Sequence, residues 1–312
     1  MLVDTETLNA KKIYFYEDIT EADIKELHKK FKLSYEMLGY VSDERERARA
    51  EYDEQLDTWL LIYNVPVRSV EQFVPPIGLI AKKDELFVFL TTKTSFVRQD
   101  FLKILSNDPT DETMDNINES NSFWILIFDV LYLISTRFFD LINDENNERN
   151  KLEEKMQTKT SNDSIIKLAK ISKNFVVILT HVNANVMTLE SLKLYEHRLS
   201  TNLKFTPDES EHLNDVLVEA KQSQEMVQLY SSITDKLTNN YNNLINNNLN
   251  NVMKFLTIYS IVLTVPTIIT GFYGMNVKLP FADSPMAWII TIVITIFFSL
   301  MVWQLLKKNN LM

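Results

Sequence analysis

The side chains able to do chemistry in this chain of 312 residues lie in a line. At 100° per residue of an α-helix, Met253, Thr257, Ser260, Thr264, Thr267 and Gly271 fall within an arc of about 80°. Asn246 and Asn250 extend the same line toward the N-terminus. The other side is apolar, with Phe255, Ile258, Ile261, Val262, Val265, Ile268 and Ile269. The spacing alternates between four and three, the rhythm of a helix that meets identical neighbours around an axis. A polar line inside an apolar helix can border a water-filled path. Packing competes with that explanation, because Ser and Thr bond their own i−4 carbonyls and small polar residues mediate helix contacts in membranes. So many small, polar or flexible side chains on one narrow face favour the aqueous axis. Two spans per chain cannot enclose a pore, so the axis requires several copies.

The line needs a scaffold that crosses a bilayer. Residues 255–273 and 286–306 carry no charge, and each run is close to the roughly 20 residues that span a hydrocarbon core. Residues 274–285 between them allow only a tight turn. The N-terminus shows no basic stretch followed by an apolar core, so no export signal is expected. Both termini are then expected on the cytoplasmic side of the cell membrane. Lys254, Lys307 and Lys308 on the flanks, against Lys278 alone in the loop, agree with the positive-inside rule.

The remainder reads as an α+β assembly. Residues 1–95 mix short strands such as "KKIYFYE", "TWLLIYNVPV" and "ELFVFLTTK" with a helix started by Thr20 and Asp23, which predicts a small α/β layer. Residues 96–206 keep apolar side chains three and four apart and predict long amphipathic helices, one of them capped by Ser161 or Asp163. From Thr206-Pro207 no further Pro or Gly appears before Pro266, so a stalk helix over 207–254 runs on into the first span. The asparagine-rich stretch 239–251 has the composition of a linker. Tyr241, Leu244, Ile245, Leu249 and Val252 nonetheless keep helical spacing through it. Pro266 removes one helical hydrogen bond and favours a bend. The second span, 286–306, is followed by a short tail, 307–312.

Composition narrows the function. A net charge of −10 argues against a general nucleic-acid binder, and the absence of cysteine removes disulfides and thiolate metal sites. His28, His181, His197 and His212 show no paired ligand spacing. No nucleophile–base pattern and no G-x-x-x-x-G-K-[ST] phosphate loop is present, so the chain is not expected to be an enzyme or driven by ATP.

Tyr273-Gly274-Met275-Asn276 follows the first of two C-terminal spans, and residues 247–277 read "NNLNNVMKFLTIYSIVLTVPTIITGFYGMNV". This stretch, in this position, resembles the CorA-type divalent-cation transporters, and the resemblance extends over the whole chain. It implies a funnel-shaped homopentamer in the lipid bilayer that conducts Mg²⁺. The selectivity filter would fall on Tyr273, Gly274, Met275 and Asn276, with Gly274 letting the backbone turn so that carbonyls face the ion. The pore lining would fall on Asn250, Met253, Leu256, Ser260, Thr264, Thr267 and Gly271, with Leu256 as the constriction. Thr257 of the derived line is its neighbour. Regulatory Mg²⁺ would bind Asp215, with Glu219 one turn on. The partner expected near "YNVPVRSVEQ" is not an aspartate, since only Arg68 and Glu71 stand there. Two alternatives remain open: transport of Zn²⁺, Co²⁺ or Ni²⁺, including export, and a membrane-anchored structural or sensor protein that conducts nothing.

Overall fold

The computed structural model describes residues 1–8, 10–67, 75–106, 122–158, 161–196, 204–275, 280 and 285–308. The chain forms two compact units, Met1–Thr238 and Asn239–Met312.

The first unit is built on a six-stranded sheet of strands β1 (Leu2–Leu8), β2 (Lys11–Glu17), β3 (Arg49–Asp53), β4 (Thr58–Asn64), β5 (Pro76–Lys82) and β6 (Glu85–Leu90). Their order is β1-β2-β6-β5-β4-β3. β2 and β6 pair in parallel, Ile13 opposite Leu86 and Phe15 opposite Val88, and the other neighbours are antiparallel. Every residue of β4 is buried, because both faces of the sheet are covered. One face takes helices α1 (Glu21–Phe31) and α2 (Tyr35–Ser42). There Tyr14, Leu60, Ile80 and Phe87 pack with Leu27, Leu33 and Leu38. Gly78 of β5 permits this approach, since a Cβ on it would lie 2.5 Å from Val41 Cγ1.

The other face takes α3 (Val97–Ser106), α4 (Phe123–Thr158) and α5 (Asn162–Glu196). Phe15 meets Phe101 edge-on, and the buried Tyr63 hydroxyl shares a hydrogen bond with Ser135 Oγ at 3.1 Å. The closest tie is an amide that imitates a strand. Asn64 N–H donates to Asn185 Oδ1 at 2.9 Å, and Asn185 Nδ2 donates to the Asn64 carbonyl at 3.0 Å, all buried.

The strands β1 and β3 escape sequence reading. Asp4, Glu6, Arg49, Glu51 and Asp53 make them look like charged loops, yet charge is what a sheet edge carries, and these are the two edges. Helices α2 and α3 are also absent from the sequence expectation. The helix starts fare better. Thr20 and Asp23 form a capping box, Ser161 rather than Asp163 caps α5, and Thr206 with Glu209 forms a second capping box.

Helix α6 runs unbroken from Pro207 to Tyr273 and contributes to both units, with the asparagine-rich stretch helical throughout. In the second unit it is joined by α7 (Ala287–Lys308). Three described helices are long and apolar enough to cross a membrane: Asn162–Tyr195 in α5, and α6 and α7. In α5, 44% of the apolar window is buried within the first unit, whereas in α6 and α7 the corresponding figure is 0%. The apolarity of α5 therefore serves the sheet it covers, through contacts with β3 and β4.

Replacing Asn185 by Leu leaves the Asn64 N–H and carbonyl buried without partners. The expected loss is about 2–3 kcal/mol, read as a lower urea midpoint in the fluorescence of Trp59 and Trp124.

Candidate functional site

The C-terminal part of α6 stays helical through Pro266, and a hydrocarbon environment would require its backbone to bond internally. Its hydroxyls follow the same rule. Thr257 Oγ1 donates to the Met253 carbonyl at 2.8 Å, Thr264 to Ser260 at 2.8 Å and Thr267 to Leu263 at 3.1 Å. Thr270, off the line, donates to the Pro266 carbonyl at 2.9 Å. Thr291 and Thr295 of α7 do the same at 2.9 and 2.7 Å. Each hydroxyl proton is thus committed, and the oxygen lone pairs still point outward. On Thr257, Thr264 and Thr267 the hydroxyl has become an acceptor.

Leu256 and the line's Met253, Thr257, Ser260, Thr264, Thr267 and Gly271 are all exposed within the chain, Met253 by 60% and Leu256 by 56%. From Ile258 on, the half-buried positions of α6, Ile258, Val262, Val265, Pro266, Ile269 and Tyr273, lie on the opposite side, centred about 170° around the helix. Helix α7 carries its own half-buried line: Ala287, Ile290, Thr291, Ile294, Thr295, Ser299, Val302 and Leu306. We read these as the facing sides of the pair, with small residues on α7 allowing approach. Above Thr257 the polar line then faces away from α7. Asn250, Met253 and Thr257, at its lower end, also border a cavity of about 660 Å³ that reaches Leu306 of α7.

At the end of α6, Gly274 N–H bonds the Thr270 carbonyl at 3.0 Å, and Met275 N–H bonds Phe272 at 3.3 Å. Gly274 does not take positive φ. Space is what it supplies instead. A Cβ on it would stand 3.3 Å from the Thr270 carbonyl oxygen, while one on Gly271 would meet nothing. Met275 is 52% exposed. Asn276, Lys278 and Asp283 lie outside the described residues.

Asp215 is exposed on α6 and Glu219 half-exposed one turn on. Among the described residues no group of three His, Asp or Glu side chains could hold a metal ion, and Arg68 and Glu71 lie outside them. Of the histidines, His28 Nδ1 bonds the Leu33 carbonyl at 2.8 Å and stacks on Tyr35, while the His181 carbonyl accepts from Asn64. His197 is outside the described residues. His212 Nδ1 lies 2.6 Å from Asp129 Oδ1 of α4. That hydrogen bond raises the imidazole pKa above its ordinary value against the opposing effect of burial, and the charges of Asp129, Asp215 and Asp208 add to it. No sequence pattern joins His212 to Asp129, which stand 83 residues apart.

A family model described as CorA-like Mg2+ transporter protein matches residues 12–308. The cobalt/magnesium transport protein CorA of Methanocaldococcus jannaschii is 24% identical over 288 residues, covering 92% of this chain and 87% of the relative. The complete structure of the CorA magnesium transporter from that organism is similar with a TM-score of 0.79 at 21% identity, covering 97% of this chain and 92% of the other. The full-length CmaX protein is similar with a TM-score of 0.71 at 14% identity, covering 97% and 90%.

The raised pKa of His212 gives a pH dependence of definite sign. The ion pair stabilises the fold fully below the ordinary histidine value of about 6.5 and is lost as pH rises through the higher folded value. Thermal unfolding between pH 5.5 and 8.5 is expected to show wild type losing its advantage over Asp129→Asn toward the alkaline end. A constant difference would exclude the linkage.

Proposed function

Because the chain belongs to the CorA-like Mg2+ transporter family, whose members are membrane transporters of divalent cations, we propose that it is a passive Mg²⁺ uptake channel working as a homopentamer in the cell membrane. The observation that carries this reading is the line of committed hydroxyls on the α6 face turned away from α7. Hydrated Mg²⁺ holds its water shell tightly and presents only O–H donors outward. A wall that accepts hydrogen bonds and donates none can therefore guide the ion with its shell intact. Thr257, Thr264 and Thr267 have that character.

In this proposal Leu256 and Met253 form the narrow apolar part. Tyr273, Gly274, Met275 and Asn276 form the filter at the outer end, where Asn276 offers a neutral amide oxygen that would not trap the ion as a carboxylate could. Five copies of α6 surround the path and α7 lies outside. Both termini face the cytoplasm. The membrane potential supplies the driving force, about 4.6 kcal/mol for two charges across 100 mV. Asp215 and Glu219 bind internal Mg²⁺ and hold the channel closed.

Co²⁺ transport is a second reading, favoured by the Methanocaldococcus relative, a cobalt/magnesium transport protein. Hydrated divalent ions of similar size present the same donors to the same wall. Zn²⁺ and Ni²⁺ belong to this reading too, as does export.

Purified protein in liposomes with a Mg²⁺-sensitive dye and an inside-negative potential is expected to take up Mg²⁺ rapidly. Thr264→Val, which keeps shape and removes the acceptor, should slow uptake by about tenfold, and Asn276→Ala should abolish uptake or its selectivity. Uptake of Co²⁺ but not Mg²⁺ would establish the second reading, and no flux of either ion from intact pentamers would leave a membrane anchor. For closure, millimolar Mg²⁺ should slow proteolysis of wild type and leave the rate for Asp215→Ala unchanged.

A further inference from the structure

The cavity between α6 and α7 has a wall that changes character along the helix axis. Asn250, Asn251 and Lys254 line one end, and Ile258 and Ile261 of α6 with Leu306 of α7 line the other. Its volume of about 660 Å³ is that of a small-ligand site. Lys254 sits about 100° around α6 from the centre of the polar line, with Asn250 and Thr257 bordering both. The cavity therefore adjoins the path proposed for the ion, with Asn250, Met253 and Thr257 on the shared edge and Asn247, Asn251, Lys254, Ile258 and Ile261 on the side away from it.

Charge identifies the occupant. From Asn239 to the end of α6, and throughout α7, there is no Asp or Glu, while Lys254, Lys307 and Lys308 stand at the same end of the pair. The Lys254 ammonium has no ion pair or hydrogen bond among the described residues. Lys307 lies over the Trp303 ring at 5.6 Å, the amphipathic combination that settles at the edge of a hydrocarbon layer. A second copy of this chain would bring no described acid from this unit to meet the lysine. Free phosphate would satisfy Lys254 and leave the Ile258, Ile261 and Leu306 floor facing water. A zwitterionic headgroup would bring its own cation to a site without a counter-charge.

We infer that this cavity is a binding site for an anionic phospholipid. Lys254 and the Asn247 and Asn251 amides take the phosphate and its ester oxygens, and the upper acyl chain lies on Ile258, Ile261 and Leu306. Basic pockets between membrane helices on the cytoplasmic side are suited to such headgroups. The lipid lies beside Met253, which borders the same cavity. The inference rests on reading α6 and α7 as a membrane hairpin and is independent of which ion is transported.

Native mass spectrometry of the full-length protein, titrated with phosphatidylglycerol or phosphatidylcholine, tests it. Phosphatidylglycerol should bind more tightly. Lys254→Gln should weaken it about fivefold, the equivalent of about 1 kcal/mol for one lysine, and leave phosphatidylcholine unchanged. Lys29→Gln, on exposed α1, should change neither, and Ile261→Trp, which fills the cavity, should weaken both. Equal affinity for the two lipids, or equal behaviour of Lys254→Gln and Lys29→Gln, would overturn the site. Glycerol 1-phosphate displacing the lipid at equal concentration would show a phosphate ion site in its place. Flotation with carbonate-washed liposomes reads the hairpin itself, so its failure is seen apart from failure of the lipid site.

Discussion

A hydrocarbon layer contains no water, so every polar group placed in it must find its partner within the protein. The second unit is organised by that constraint. It keeps α6 and α7 helical, folds the threonine hydroxyls back onto the preceding turn, and leaves the flanking lysines outside the apolar runs. The same back-bonding that makes a threonine tolerable in lipid strips it of its donor. What remains on Thr257, Thr264 and Thr267 is a row of acceptors. In the proposed channel one hydrogen bond would meet both a membrane requirement and the need for a wall of acceptors.

The two spans divide the work. Helix α7 has no charge before its final lysines and turns a line of small and aliphatic residues, from Ala287 to Leu306, toward α6. Helix α6 is two-sided, with aliphatic Ile258, Val262 and Val265 half-buried and the polar line exposed on the far side. An exposed polar line in a single chain is costly in lipid and useful when identical chains gather round it. Gly271 fits this view. A side chain there would touch nothing in its own chain, so any demand for glycine arises outside it.

In the first unit burial, not hydropathy, decides the role of an apolar helix. Helix α5 meets the length and composition of a membrane span as α6 and α7 do, yet it lies against β3 and β4 and holds the end of β4 through Asn185. The sheet it covers is apolar on both faces, and this is why "TWLLIYN" reads as an unbroken run without alternation.

Much of this was legible in the sequence by itself. The charge-free runs, the helix from Pro207 through the asparagines, the capping residues Thr20 and Thr206, and the family recognised at Tyr273-Gly274-Met275-Asn276 rest on local patterns that persist whatever surrounds them. The edge strands β1 and β3 were hidden because strand pairing is a relation between distant residues, and their charges mimic a loop. The crowding at Gly274 was hidden for a related reason. Sequence shows that a glycine is present, and only the fold shows that the Thr270 carbonyl crowds it while φ stays ordinary. Periodicity placed the polar residues on one face of α6. Only the tertiary structure decided that the half-buried side lies opposite them, that α5 belongs to the sheet, and that His212 meets Asp129, because each depends on which surfaces the folded chain brings together.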